Sequence, residues 1–236
     1  MIYVWATRSD PGRVRQQNED SVLPAPGTDG TADQLVAAVA DGMGGAAGGE
    51  VASATAMAAA AAVSAEVALR IEAANLAVVE AAGQRPRLRG MGTTLTMGIF
   101  NADGSLQIGH VGDSRAYLLR DGVFTQVTTD HSFVNEMLAS GRMTVEEAED
   151  HPYRSVLTRA VGLEPGVEVE VVNLELAAGD RVLICSDGLT GMLSDDAISG
   201  MLAANPGPVA AAEALVGAAN DAGGIDNISV VLVEAG

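Results

Sequence analysis

Two stretches of the sequence decide the fold: residues 36–45 read VAAVADGMGG, and residues 182–191 read VLICSDGLTG. Each is an apolar run that ends in Ala-Asp-Gly or Ser-Asp-Gly and then enters a small, glycine-containing turn. A short apolar run bounded by turn residues is typical of a buried strand. Two explanations stay open for the repeated ending. Asp-Gly is a common turn in its own right, or Asp41 and Asp187 are two halves of one metal site.

Outward from these runs, the pattern alternates between strands with a period of two residues and amphipathic helices. Residues 1–20 begin as a strand, and helices are predicted over 47–82, 195–204 and 208–222. Between them, Asp103-Gly104 and Asp121-Gly122 lie where two-residue hairpin turns belong. Meandering strands with helices grouped between them predict an α+β chain with antiparallel sheets. No linker divides the sequence, so we expect one domain over residues 1–236.

Composition excludes several classes of protein. The formal charge of −18 over 236 residues argues against a nucleic-acid surface, and all 13 basic residues are arginine. Cys185 is the only cysteine, which excludes a disulfide framework and a cysteine-based zinc site. The alanine-rich residues 51–69 are interrupted by polar side chains and predict a packed helix, not a membrane segment. We expect a cytoplasmic monomer, and a longer, membrane-tethered parent stays open.

Acidic residues mark the ends of several predicted strands. Carboxylates that converged there would repel one another and would be hard to deprotonate. Mg²⁺ or Mn²⁺ resolves this conflict, because both cations prefer oxygen ligands. Two such ions roughly 3.5–4 Å apart can activate a water and clamp a phosphoryl group. The acids concerned are Glu19, Asp20, Asp41, Asp113, Asp187 and Asp226.

Any one of these acids, taken alone, is more often a turn residue or a helix cap. Asp103, Asp121 and Asp180 are interpreted as turn residues only. The set of acids as a whole, and not a single member, favours the metal site. Among the histidines, we expect His110 to be structural and His131 and His151 to lie at the surface.

These motifs together give the sequence a family resemblance. It resembles the metal-dependent Ser/Thr protein phosphatases (the PPM or type 2C family), and in particular the bacterial members. The matching stretches cover essentially the whole chain in order: GRVRQQNEDS, VADGMGG, GTTLT, HVGDSRAYLLRDG, HPYRSVLTRAVG, LICSDGLTG and GIDNISVVLV.

The resemblance implies an αββα sandwich, in which two antiparallel sheets face each other and helices cover both outer sides. It also implies hydrolysis of phosphoserine and phosphothreonine by a metal-bound water, without a phosphoenzyme. The cofactors would be two Mn²⁺ or Mg²⁺ ions and a possible third. The expected partners are phosphorylated proteins, and the enzyme would oppose bacterial Ser/Thr kinases. Residues 131–165 match a flap beside the site.

The resemblance also assigns roles to individual residues. Asp41 would bridge the two central ions and the Gly42 carbonyl would bind one of them. Asp187 and Asp226 would complete the other site, and Asp113 with Asp187 would hold the third ion. The remaining assignments are Glu19 and Asp20 as ligands through water, Arg15 as the phosphate-binding arginine and Ser155 as a weaker flap contact.

Met43 is a departure from part of the family, whose members carry a histidine there as the acid for the leaving alcohol. Bacterial members often show methionine, so activity is still expected. The leaving-group acid is unassigned by residue, and a metal-bound water is the first choice.

Three alternatives compete with this interpretation. A cysteine phosphatase needs an arginine six positions after its cysteine, and that position is Gly191. An aspartyl-phosphate hydrolase of the haloacid-dehalogenase type would need its nucleophile at Cys185. A phospho-binding module without activity would usually lack metal ligands, whereas Asp41, Asp187 and Asp226 are all present.

Overall fold

A computed structural model describes residues 1–44, 48–149 and 151–236. The strands are β1 (Tyr3–Asp10), β2 (Asp20–Leu23), β3 (Asp29–Ala32), β4 (Leu35–Met43), β5 (Gly92–Thr93), β6 (Leu95–Phe100), β7 (Ser105–Val111), β8 (Arg115–Arg120), β9 (Val123–Gln126), β10 (Glu170–Glu175), β11 (Arg181–Cys185) and β12 (Ile228–Ala235). The helices are α1 (Gly48–Ala62), α2 (Val67–Gln84), α3 (Phe133–Ala139), α4 (Val145–Glu149), α5 (Asp187–Thr190), α6 (Asp195–Ala204) and α7 (Pro208–Asp221), and a 3₁₀ turn covers Pro86–Leu88.

The strands form two sheets, and all pairings among the described strands are antiparallel. One sheet has the order β3-β1-β12-β11-β8-β9, and the other has the order β10-β7-β6-β4-β2, with β5 paired to β4. The two apolar runs of the sequence become β4 and β11, which lie in different sheets. The Asp-Gly endings are therefore brought together by the stacking of the sheets and not by a hairpin.

Three apolar layers hold the sandwich together. Alternate residues of β4 divide between two of them: Ala37 and Val39 pack between the sheets, whereas Ala38 and Ala40 face α1 and α2. On the other sheet, Leu183 packs with α6 and α7. Because successive side chains point to opposite faces of a strand, each sheet has one apolar face toward the other sheet and one toward helices. Helices therefore cover both outer faces of the sandwich. The predicted αββα sandwich is confirmed.

Helix α1 lies unusually close to β4. A Cβ atom added at Gly42 would stand 2.1 Å from the carbonyl oxygen of Gly49, so both positions need glycine. Buried alanines along α1, among them Ala52, Ala56 and Ala60, continue the close approach. The alanine-rich residues 51–69 belong to α1 and to the start of α2. No helix in the described part of the chain is long and apolar enough to cross a membrane.

Some sequence expectations were wrong in detail. The first strand ends at Asp10, early in residues 1–20, because Pro11 and Gly12, whose φ is +81°, begin a loop. The short strands β2 and β3 were not predicted. Gly45 and Asp150, which belong to stretches considered above, lie outside the described residues.

The segment 131–165 leaves the sandwich after β9 and carries α3 and α4. A capping box begins α4: the Thr144 amide donates to the Glu147 carboxylate at 2.9 Å, and the Glu147 amide donates to the Thr144 hydroxyl at 3.3 Å. A bridge between Ser132 and Leu157 closes the segment on itself. A second bridge, between Val161 and Thr93, ties its return to β5.

Candidate active site

Neighbouring strand ends deliver the acidic residues to one end of the sandwich. Asp20 on β2 stands opposite Asp41 on β4 in the strand pairing. Asp113 follows β7, and Asp187 begins α5 directly after β11 and Ser186. Asp226 lies two residues before β12. Backbone geometry thus gathers carboxylates that are far apart in sequence.

These side chains border one cavity of about 400 Å³. Eight predicted site residues are in its wall: Ser155, and Arg15, Glu19, Asp41, Gly42, Asp113, Asp187 and Asp226. Ser155 reaches the same wall from the segment 131–165, and Met43 and Leu163 add apolar surface. The wall of the cavity therefore combines carboxylates, the guanidinium of Arg15 and apolar surface.

Asp20 is the one predicted site residue outside this wall. It accepts a hydrogen bond from the Ser186 hydroxyl at 2.9 Å, and it borders a separate groove beside Val22 and Met57. Its charge still acts on the site, since it is among the causes that raise the pKa of Asp41. Asp20 lies behind the cavity and not in it.

Burial and mutual repulsion raise the pKa values of the clustered carboxyl groups. Burial, followed by the charges of Asp20 and Asp187, raises the pKa of Asp41 well above its ordinary value. Burial and the charge of Asp187 raise the pKa of Asp113 to about 7. The cluster is costly as bare carboxylates, so it favours binding of positive charge.

Unpartnered oxygens support a cation at this position. Oδ1 of Asp187 and Oδ1 of Asp20 are both buried, and neither has a hydrogen-bond partner in the described structure. A buried carboxylate oxygen without a partner is expensive. The donor set consists of carboxylates, which suits Mg²⁺ or Mn²⁺. The residues present therefore fit the expected ions.

Two threonines of the GTTLT stretch fix the backbone of Asp41. The Asp41 amide donates to the Thr94 hydroxyl at 2.9 Å, and the Thr93 hydroxyl donates to the Asp41 carbonyl at 2.8 Å. Both threonines are buried. The sequence alone did not indicate a role for this stretch, and in the structure it orients Asp41.

Asn227, which was not among the predicted site residues, organises the loop that carries Arg15 and Glu19. Its Oδ1 accepts from the Glu19 amide at 2.8 Å. Its Nδ2 donates to the carbonyls of Pro11 and Gln17 at 3.0 and 2.9 Å. The available signal was a polar residue at the start of an otherwise apolar strand, directly after Asp226.

Arg15 reaches into the cavity from that loop. Its Nη2 donates to Oδ2 of Asp226 at 2.6 Å, while about half of its side chain stays exposed. The guanidinium has five donors, so donors are left over for an anion in the cavity. The Arg15–Asp226 ion pair thus places the guanidinium beside the carboxylates, and the guanidinium stays in contact with solvent.

The expectation for His131 was wrong, because this side chain is 7% exposed and packs on His110 with ring centres 4.8 Å apart. His110 is fully buried, as expected of a structural residue. Glu170 completes a group whose ligand atoms could hold a metal ion by distance alone. Thr129 binds both His110 and Glu170, however, and Arg159 adds a positive charge. The cluster acts as a polar framework in this structure.

The model of the protein phosphatase 2C family matches residues 13–213. The chain belongs to the protein phosphatase 2C family. Among curated members, Ser/Thr protein phosphatase PstP of Mycobacterium tuberculosis is 42% identical over 245 residues, which cover 99% of this chain and 45% of PstP. Ser/Thr phosphatase stp of Listeria monocytogenes is 38% identical, with 96% of this chain and 94% of stp covered.

Solved 2C-family structures share the whole fold. The crystal structure of Mycobacterium tuberculosis PstP/Ppp has a TM-score of 0.90 at 41% identity, over 100% of this chain and 99% of that one. The PstP catalytic domain in complex with two manganese ions has a TM-score of 0.86 at 40% identity, over 99% of both chains. The chain spans less than half the length of curated PstP but nearly all of stp.

Proposed function

We propose that this chain hydrolyses phosphoserine and phosphothreonine in proteins, with Mn²⁺ or Mg²⁺ as its cofactor. The convergence of Asp41, Asp187 and Asp226 on one cavity that Arg15 also borders carries the proposal. The names of the 2C-family relatives, which are Ser/Thr phosphatases, support the substrate class.

The residues that would hold the cations are those of the acidic wall. Asp41, the Gly42 carbonyl, Asp187 and Asp226 form the set for two ions, and Asp113 with Asp187 forms the set for a third. Glu19 and Asp20 would support the site through water. When bound, the cations supply positive charge opposite the phosphate and lower the pKa of the attacking water.

The chain's own side chains bind and orient the substrate. Arg15 offers a planar fork of donors that suits the oxygens of a phosphate. Asp226 holds the Arg15 guanidinium from one side, which limits its rotation. Ser155 would contact the substrate from the segment 131–165, which we propose to be a flap on a single catalytic domain. Met43 can carry no proton, so it leaves protonation of the leaving alcohol to another group.

The decisive experiment compares metal-loaded and chelated enzyme on a phosphothreonine peptide. Phosphate release is expected with added Mn²⁺ or Mg²⁺ and not in excess chelator. Asp187→Asn keeps the shape of the side chain but removes its charge, so it should abolish turnover while leaving the melting temperature near that of the wild type. Full activity in chelator, or in Asp187→Asn, would contradict the proposal.

The setting of the reaction is part of the same proposal. We propose a cytoplasmic monomer that acts on proteins phosphorylated by Ser/Thr kinases. Sedimentation at assay concentration tests the monomer. Dephosphorylation of a kinase co-expressed from the same genome tests the partner class, and a kinase that keeps all its phosphate would contradict it.

A further inference from the structure

Three arginines crowd into one five-residue turn between α2 and β5. They are Arg85, Arg87 and Arg89, and they make up three of the 13 basic residues in a chain with a net charge of −18. All three are exposed. A local concentration of cations in so acidic a chain is a distinct electrostatic feature.

The turn that carries them is fixed by its own core contact. Leu88 is 2% exposed and packs into the layer beneath α1 and α2. The Leu88 amide donates to the Arg85 carbonyl at 2.8 Å, and the Met91 amide donates to the Leu88 carbonyl at 3.1 Å. Because Leu88 points inward, the neighbouring arginines are held at the surface on a defined backbone.

None of the three guanidinium groups forms an ion pair or a hydrogen bond within the described residues. By contrast, six other arginines each lie within 4.0 Å of a carboxylate: Arg8, Arg15, Arg115, Arg120, Arg159 and Arg181. The turn therefore presents positive charge that the described part of the chain does not neutralise.

The turn also lies next to the candidate active site. Gly92 pairs with Met43, which is in the wall of the cavity. A Cβ atom at Gly44, another wall residue, would stand 3.2 Å from Cα of Met91. Three residues of fully extended chain span at most about 11 Å, so the Cα atom of Arg89 lies within about 11 Å of the Cα atom of Gly92. An extended peptide covers the same distance in three to four residues.

We propose that the turn of Arg85, Arg87 and Arg89 binds an acidic segment of the phosphoprotein substrate, a few residues from the phosphate that is hydrolysed. The proposal rests on the function proposed above. Arginine binds carboxylate and phosphate oxygens through paired hydrogen bonds, so glutamate-rich and multiply phosphorylated segments share the required chemistry.

The test uses phosphothreonine peptides that differ only in their flanks. One peptide has neutral flanks, a second carries glutamates three to five residues away, and a third carries a non-hydrolysable phosphonate at those positions, on either side in turn. The wild type should show a KM about 5-fold lower for the charged peptides than for the neutral one, because each exposed contact contributes modestly. A larger effect of the phosphonate than of glutamate would identify a second phosphate as the preferred group.

The variant Arg87→Gln/Arg89→Gln should remove that difference. Its KM for the charged peptides should rise about 5-fold, and its turnover of the neutral peptide and of p-nitrophenyl phosphate should match the wild type. Arg8→Gln, which removes a charge on β1, should leave all three KM values unchanged. In the wild type, the advantage of the charged peptides should also shrink between about 50 and about 300 mM salt.

Equal KM values for all three peptides in the wild type would overturn the inference while leaving the proposed phosphatase function intact. An unchanged preference in the double variant would overturn it as well. No hydrolysis of any peptide would instead contradict the proposed function. A variant that fails to fold is recognised by its melting temperature, and the salt dependence of the wild type then decides alone.

Discussion

The backbone amide of Gly112 donates to Nδ1 of His131 at 3.1 Å, and the amide of His131 donates to the Gly112 carbonyl at 2.7 Å. This two-way contact joins the start of the segment 131–165 to the turn that presents Asp113. Gly112 has φ +115°, and a Cβ atom there would stand 2.6 Å from Thr94, so the turn has little freedom. Burial, with Arg159, lowers the pKa of His131, which keeps Nδ1 free to accept.

His131→Leu should therefore disturb Asp113 through the backbone. We expect kcat to fall about 10- to 100-fold, as for a displaced catalytic group. His131→Asn, whose amide oxygen can accept from Gly112, should recover part of the loss. In an Asp113→Asn background, His131→Leu should cost nothing further. An equal loss in both backgrounds would mean that His131 acts by general stability and not through Asp113.

Asp41→Asn should stabilise the metal-free protein while removing activity. The folded pKa of Asp41 is raised, so the folded state holds a proton that the unfolded state releases, and stability falls as pH rises toward that value. His110 and His131 have lowered pKa values and act in the opposite sense, but only below their ordinary value of 6.5. The effect of the carboxyl groups on stability is therefore best measured above pH 6.5, where the histidines no longer contribute.

The measurement is the melting temperature in chelator from about pH 6.5 to about pH 8. The wild type should lose several degrees over this range, on the order of 2–4 °C for each kcal/mol. Asp41→Asn should melt higher and show a smaller slope. Added Mn²⁺ should flatten the wild-type slope, and a wild type that is flat in chelator would contradict the repulsion among the clustered carboxylates.

Arg15→Ala should raise KM for a phosphothreonine peptide about 10-fold and change kcat little, because phosphate binding is lost in ground and transition states alike. Arg15→Lys should lie between the two, since lysine keeps the charge but not the fork. Arg13→Ala, in the same loop, is the matched control and should leave KM unchanged. A pure kcat effect at Arg15 would assign it to the transition state instead.

Asn227→Ala should both destabilise the protein and lower its activity. It leaves the Glu19 amide and two carbonyls without partners, which costs about 3 kcal/mol in the free energy of unfolding. Asn220→Ala is the control: Asn220 is similarly buried but donates one hydrogen bond, to Asp10, and its Oδ1 has no partner. It should cost about 1 kcal/mol and spare activity. Denaturant unfolding and kcat/KM of the two variants test this prediction. Equal losses of stability and activity in both variants would contradict a special role for Asn227.

Hydropathy and turn chemistry predicted most of the fold. The apolar runs of β4 and β11 and the two-residue turn at Asp121-Gly122 are local signals, so they can be read from sequence. The two-residue turn predicted at Asp103-Gly104 was wrong, because residues 101–104 all lie between β6 and β7. The strands β2 and β3 were missed because each has four residues and little apolar content. Their pairing partners, not their own sequence, make them strands.

The acidic residues of the site could be predicted from the sequence, but the buried polar residues that hold them in position could not. Strand ends and small neighbours identified Asp41 and Asp187, and the family resemblance supplied their expected roles. Nothing local indicated that Asn227 would hold the Arg15 loop, since its partners are about 210 residues away in sequence. The burial of His131 likewise depends on a contact with Gly112 across the fold.

Strand β5 is two residues long, yet it is shared: Gly42 and Met43 lie on one side, and Val161 of the segment 131–165 bridges to it on the other. The C-terminal end of the proposed flap is thus joined through β5 to β4, the strand that carries Asp41. For anyone exchanging this segment between members of the protein phosphatase 2C family, the safe graft boundaries lie inside the Ser132–Leu157 bridge. A graft that includes Val161 would transplant part of the scaffold of the proposed metal site along with the proposed flap.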